Sequence, residues 1–208
     1  MGVYGLLVAL SISGVARLSA AADETRLYED GLLTAQDFQA TVPSDAAGDA
    51  FTGTQLGYDF RYRYEGREGR VRATVTEVSI KAVVRKDQSW NRRPTDPRLL
   101  EHEQGHADNA WIQCLKARLA FDEKRRRGWT VSAATLAEAT DILTRELTEK
   151  LTSFEEEGRA ADVRYDEETK HGVGPKQAEW RRVQRETIQE LEAAWERRTR
   201  TASGRRSR

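Results

Sequence analysis

Hydrophobic and polar positions change period along the chain, and the changes divide it into segments. Leu56-Gly57-Tyr58-Asp59-Phe60-Arg61-Tyr62-Arg63-Tyr64 alternates with period two, as a strand with one buried face does. Glu65 to Gly69 reads as a turn. Val71, Ala73 and Val75, then Val78, Ile80, Ala82, Val83 and Val84, continue the pattern in one or two antiparallel strands. The slip between Val75 and Val78 predicts a bulge or a break. The row Tyr58, Phe60, Tyr62, Tyr64 is expected on the buried face of the sheet rather than as a binding platform.

Beyond Pro94 the period becomes helical. Asp96 is placed to cap, and Pro97 suits a first helical turn. A helix is predicted from about Pro97 to Arg126, with Leu99, Leu100, Ala107, Ala110, Trp111, Cys114 and Leu115 in its apolar stripe. Lys124 to Arg127 favour the negative helix end, and Gly128 is the stop. Thr130 or Ser132 is expected to cap a second helix running to about Glu157, with Leu136, Leu143, Leu147, Leu151 and Phe154 on one face. Gly158 to Gly174 reads as a connecting segment. Pro175 opens a third helix to about Arg200, with Trp180, Val183, Leu191 and Trp195 facing inward. The expected fold is α+β: an amino-terminal antiparallel β-sheet followed by a three-helix bundle, as one domain over residues 23–200. Residues 201–208 are expected to form a disordered basic tail.

The first helix carries the strongest chemical signal, His102-Glu103-Gln104-Gly105-His106. Positions i and i+4 differ by about 40° around a helix, so both imidazoles can grip one ion. Glu103 lies about 100° round from His102, at the edge of that face, where it can reach a water without binding the metal. A catalytic zinc site has three protein ligands and a water in the fourth position. The chain holds one further histidine, His171, which is the expected third ligand; Glu123 or another carboxylate is the rival. Tyr165 is considered as a donor to an oxyanion, or as ordinary packing. Asp166 is considered as a group that orients a histidine, or as a cap. Cys114 is the single cysteine, so no internal disulfide exists, and its setting reads as core.

The motif, preceded by Ser89-Trp90 and followed by Tyr165-Asp166-x-x-Thr169-x-His171-Gly172, resembles the bacterial family called domain of unknown function 922. Leu33-Thr34-x-x-Asp37-Phe38 is similar to that family's opening. The resemblance covers roughly residues 30 to 185. It implies a secreted zinc-dependent protease with its metal site at the three histidines and Glu103, so the three-helix bundle is expected to be a zincin-like metallopeptidase bundle, and it supplies no substrate. The basic run Asn91-Arg92-Arg93-Pro94 departs from the family pattern.

Charge and the amino terminus add the remaining expectations. Basic and acidic residues number 34 each, which gives no support for a nucleic-acid partner. Gly5 to Ala16 is an apolar run too short to span a bilayer, and Ala20-Ala21-Ala22 offers a cleavage site. Residues 1–22 therefore read as a signal peptide. The chain is expected to be secreted or periplasmic, without stable membrane insertion after cleavage, and to act on a peptide or protein substrate. An exposed strand edge beside the metal is a further expected means of holding an extended peptide. The competing reading is a non-catalytic, zinc-stabilised binding or assembly module.

Overall fold

The computed structural model describes residues 24–204 except 47 and 68. The expected signal peptide lies outside the described residues, as do the last four residues of the expected tail.

Three strands precede the first long helix: β1 (Thr25–Leu27), β2 (Ala50–Arg67) and β3 (Arg70–Asn91). Then follow α1 (Pro97–Arg126), the short strand β4 (Thr130–Ala133), α2 (Leu136–Thr169) and α3 (Gln177–Gly204). The architecture is α+β, with the strands mostly amino-terminal to three helices. β2 and β3 form a long antiparallel hairpin. β1 and β4 both pair with β3, at its Val83–Arg85 and Val71–Thr74 stretches. The expected slip is present: the register shifts where Arg61 faces Glu77 and Tyr62 faces Val75. Thr76 is the extra residue, and its hydroxyl donates to the Arg61 carbonyl at 3.1 Å. The bulge keeps Phe60, Tyr62 and Val75 on the buried face.

One core lies between that face and the helices. Leu56, Phe60, Tyr62 and Ile80 meet Trp111, Cys114, Leu115 and Phe121 of α1 and Leu143, Leu147 and Phe154 of α2. The hydroxyls of Tyr58 and Tyr62 end at Thr148 and Thr140 of α2, so the aromatic row is packing surface with satisfied polar tips. Cys114 is fully buried, its thiol pushed up to about 12 by burial, as a core residue's should be.

α1 has the bounds its sequence predicts. Asp96 accepts the Arg98 amide at 3.0 Å, and Gly128 takes φ +88° beyond the last turn. α2 differs from expectation at both ends. Its cap is Thr135, which accepts the Glu138 amide at 3.2 Å while Glu138 accepts the Ala134 amide. Thr130 and Ser132, expected as caps, are strand residues paired with β3. At the far end α2 runs to Thr169, through the segment expected to connect helices. Its inward stripe of Ala139, Leu143, Leu147, Leu151 and Phe154 simply continues through Gly158, Tyr165 and Thr169. α3 runs to Gly204, four residues past the expected end. Val183 on α3 is exposed rather than inward, and two glutamines, Gln177 and Gln184, are among the α3 residues that make close polar contacts with α1 and α2.

Candidate metal centre

The extension of α2 builds the site, because it lays Asp162, Tyr165 and Asp166 over the histidine face of α1. Gly105 permits the approach. A Cβ there would lie 2.3 Å from the Tyr165 hydroxyl oxygen and 2.4 Å from Cζ, well inside van der Waals contact. The Tyr165 ring stacks on His102 with centroids 4.7 Å apart and meets His106 edge-on at 5.1 Å. Its hydroxyl donates to the His102 carbonyl at 3.1 Å and accepts from Gln177 at 2.7 Å. Tyr165 is completely buried. This corrects the expectation of an oxyanion donor. The phenol packs behind the histidines with both hydrogen-bonding capacities used, and burial pushes its pKa up.

His102, His106 and His171 converge on one carboxylate. Asp166 Oδ1 lies 3.0 Å from His102 Nε2, 3.1 Å from His106 Nε2 and 3.5 Å from His171 Nδ1. Potential ligand atoms of His102, Asp166 and His171 lie within 4.8 Å of one another, as do those of His102, Glu103 and His106. His102 is buried, whereas the His171 side chain is 68% exposed at the rim. His171 is carried by a turn in which Lys170, His171 and Gly172 all have positive φ, +49°, +52° and +84°. Two consecutive non-glycine residues in the left-handed region are strained, and such strain gathers where geometry serves a site. Hydrogen bonds from the His171 amide to Asp166 O and from the Gly174 amide to Thr169 O fix the turn. At Gly172 a Cβ would lie 2.8 Å from His102 Cβ, so only glycine lets the turn close over that histidine.

The surrounding polar groups hold these side chains in place. Asp162 Oδ1 accepts from His106 Nδ1 at 3.0 Å and from Asn109 Nδ2 at 2.8 Å. Gln184 on α3 then donates to Asn109 Oδ1 and to the Gly105 carbonyl, both at 2.9 Å. Three helices thus support one imidazole. Burial disfavours a charge on His106, but Asp162 and Asp166 outweigh it and push its pKa up to about 10. Burial also opposes the Asp166 charge, yet His102 and His106 hold that carboxyl well below the usual range. Glu103 is raised chiefly by burial, against the opposing pull of the histidines and a 2.6 Å hydrogen bond from the Thr52 hydroxyl.

These groups open onto a cleft of about 520 Å³. Its floor is His102, Glu103 and His106; β2 and β3 supply Phe51, Thr52 and Trp90; α2 supplies Arg159, Asp162, Val163 and Asp166; His171 stands at the rim. Glu123, the rival third ligand, is elsewhere: it bonds Arg127 and Arg198 near the far end of α1. Asp162, Thr52 and Arg159 were not foreseen from the sequence. The continuing three-and-four spacing of α2 contained the signal for Asp162; nothing local pointed to Thr52.

The segments that carry the family resemblance meet here. Gln104, inside the motif, accepts the Leu33 amide at 2.8 Å, and Asp37 holds Thr34 and Arg26 in the same amino-terminal segment. Ser89 pins β2 by accepting the Gly53 amide, beside Trp90 in the cleft wall. Comparison with protein-family models, curated proteins and solved structures finds no match to this chain. The resemblance therefore rests on these motifs alone.

The donor set fits zinc. Imidazole nitrogens and carboxylate oxygens are its usual partners, and buried His102 gathers them beside an open cleft.

Proposed function

We propose that the chain is a secreted or periplasmic zinc-dependent peptidase, with His102, His106 and His171 as metal ligands and Glu103 as general base. The observation that supports it best is the placing of buried Glu103 between two histidines and an open cleft, its carboxylate oriented by Thr52. When bound, zinc supplies a Lewis acid that polarises a carbonyl and lowers the pKa of its water to about 7. The chain supplies the rest. Thr52 fixes the carboxylate of Glu103, which takes a proton from water and delivers it to the leaving amine. Asp162 holds Nδ1 of His106 and would thereby set the tautomer that presents Nε2, the nitrogen beside Asp166, to the metal. The open cleft gives an extended peptide room beside these groups. β2 pairs only with β3 among the described strands, which supports its use as an edge for that peptide. No helix among the described residues is long and apolar enough to cross a membrane.

A second reading is favoured by Asp166. Its oxygen lies near all three histidines, and a carboxylate serving as fourth ligand would close the site and make the zinc structural. One experiment separates the two. Residues 23–208 are purified, zinc is counted by mass spectrometry, and hydrolysis of unfolded casein is followed. The peptidase reading expects one zinc per chain, hydrolysis, and loss of hydrolysis with zinc retained in Glu103→Gln. Zinc without hydrolysis, unrelieved by Asp166→Ala, establishes the structural reading. Undiminished hydrolysis by Glu103→Gln removes the general base.

A further inference from the structure

The cleft carries a cation that the proposed chemistry does not use. Arg159 lies on α2 one turn before Asp162 and Val163, is exposed, and lines the cleft. It makes no hydrogen bond or ion pair among the described residues, although three carboxylates stand within a helical turn. Two of them are engaged elsewhere. Glu155 accepts the Leu56 amide of β2 at 3.1 Å, and Asp162 is held by His106 and Asn109. Glu156, the third, makes no ion pair with Arg159 either. Most other arginines near the helices end on carboxylates, as Arg118, Arg125, Arg126 and Arg127 do. A free guanidinium in a cleft wall presents a planar fork of donors suited to a carboxylate.

Beside it are two apolar side chains that the core does not cover. Phe51 of β2 is 51% exposed and Val163 of α2 is 57% exposed, and both line the same cleft. Arg159 and Val163 are four residues apart, so they share one face of α2. A bulky apolar residue and a carboxylate close by on one substrate would meet both.

Resting on the peptidase reading, we propose that Arg159 is a specificity-determining residue. It receives a carboxylate of the substrate peptide, either an acidic side chain or the free carboxyl terminus, while a neighbouring apolar residue of the peptide seats against Phe51 and Val163. The partner is thus an acidic, apolar-flanked peptide.

The test profiles cleavage of a mixed peptide library by the zinc-loaded chain and by Arg159→Gln and Arg159→Glu, with products read by mass spectrometry and zinc counted in each protein. The expected wild-type pattern places Asp or Glu, or the chain end, at a fixed distance from the cut bond, next to a bulky apolar residue. In Arg159→Gln the ratio of kcat/KM for acidic over neutral peptides falls about tenfold, mainly through KM. In Arg159→Glu the preference moves to Lys or Arg. Peptides with amidated carboxyl termini tell the two carboxylate sources apart. Cleavage with no acidic preference, or a preference that survives Arg159→Gln, overturns the inference and leaves the peptidase reading standing. Absence of any cleavage removes the peptidase reading; equilibrium binding of fluorescent acidic and neutral peptides then decides about Arg159. Equal binding of the two peptides overturns it, whereas tighter binding of the acidic one, lost in Arg159→Gln, supports it.

Discussion

The two ends of α1 meet carboxylates in opposite ways. Near the Arg126 end, Asp122 is saturated: Arg125 and Arg126 each approach it to 2.6 Å, and Arg198 of α3 lies 3.8 Å away. Guanidinium is always charged, so this cluster has one protonation state across the physiological range. At the other end, Asp162 and Asp166 meet imidazoles, which can be charged, neutral or metal-bound. The cleft lies at that second end. α1 thus shares a closed ion cluster with α3 and an adaptable one with α2. The difference is in the partner's chemistry and in shelter: the side chain of Asp122 is 9% exposed, those of Asp162 and Asp166 27% and 32%.

The largest expected effect comes from the joint that brings α2 to the adaptable end. Gly105→Ala would drive a methyl into the Tyr165 ring, displacing the hydroxyl from the His102 carbonyl. Thermal unfolding should show a loss of about 2 kcal/mol, the overpacking cost less the small helical gain of alanine. An unchanged midpoint would mean that α2 slides freely over α1, and the rigid joint would be wrong. Next comes Asp162→Asn, which preserves shape and the Asn109 contact but removes the charge behind His106. Zinc affinity measured against a competing chelator should fall about 10–100-fold.

At the closed end, Asp122→Asn leaves Arg125 and Arg126 without their carboxylate. Denaturant titration at pH 7 should show a loss of about 1–3 kcal/mol with zinc content unchanged. Burial opposes the Asp122 charge, but its arginines outweigh that and lower its folded-state pKa below the ordinary 3.8. The stabilisation is therefore complete above the unfolded value and disappears as pH falls through the lower folded value. Wild type and variant should converge in stability on acidification below about pH 4; a gap that persists in acid would assign the effect to packing. The smallest effect is expected for Glu123→Gln. Its side chain is 41% exposed, and its pairs with Arg127 and Arg198 should contribute under about 1 kcal/mol. A fall in zinc content on that change would return Glu123 to the ligand set.

The sequence and the structure agree where signals are local. The bounds of α1 follow from Asp96, Pro97 and Gly128, and the bulge at Thr76 from two valines falling out of step. α2 was harder because Gly158 and the acidic run after Phe154 look like a helix end. The helix persists because Gly158 packs against Gln113, and because Tyr165 fits over Gly105, a residue more than fifty positions earlier. β4 depends on pairing with Val71–Thr74, which no local pattern around Thr130 announces. The two motif histidines and Glu103 could be read from spacing alone. The roles of Asp162, Thr52 and Tyr165 could not, since each depends on which strand or helix passes overhead.

His102 and His171, whose rings lie 6.1 Å apart, are 69 positions apart in the chain (171 − 102). An ion gripped from both sides would be a knot in a loop of that length, and cross-links closing loops of this size restrict the unfolded chain by about 4 kcal/mol in simple entropy models. That is comparable with much of the total stability of an ordinary domain. Metal supply would then govern not only whether the cleft works but how long the folded chain lasts.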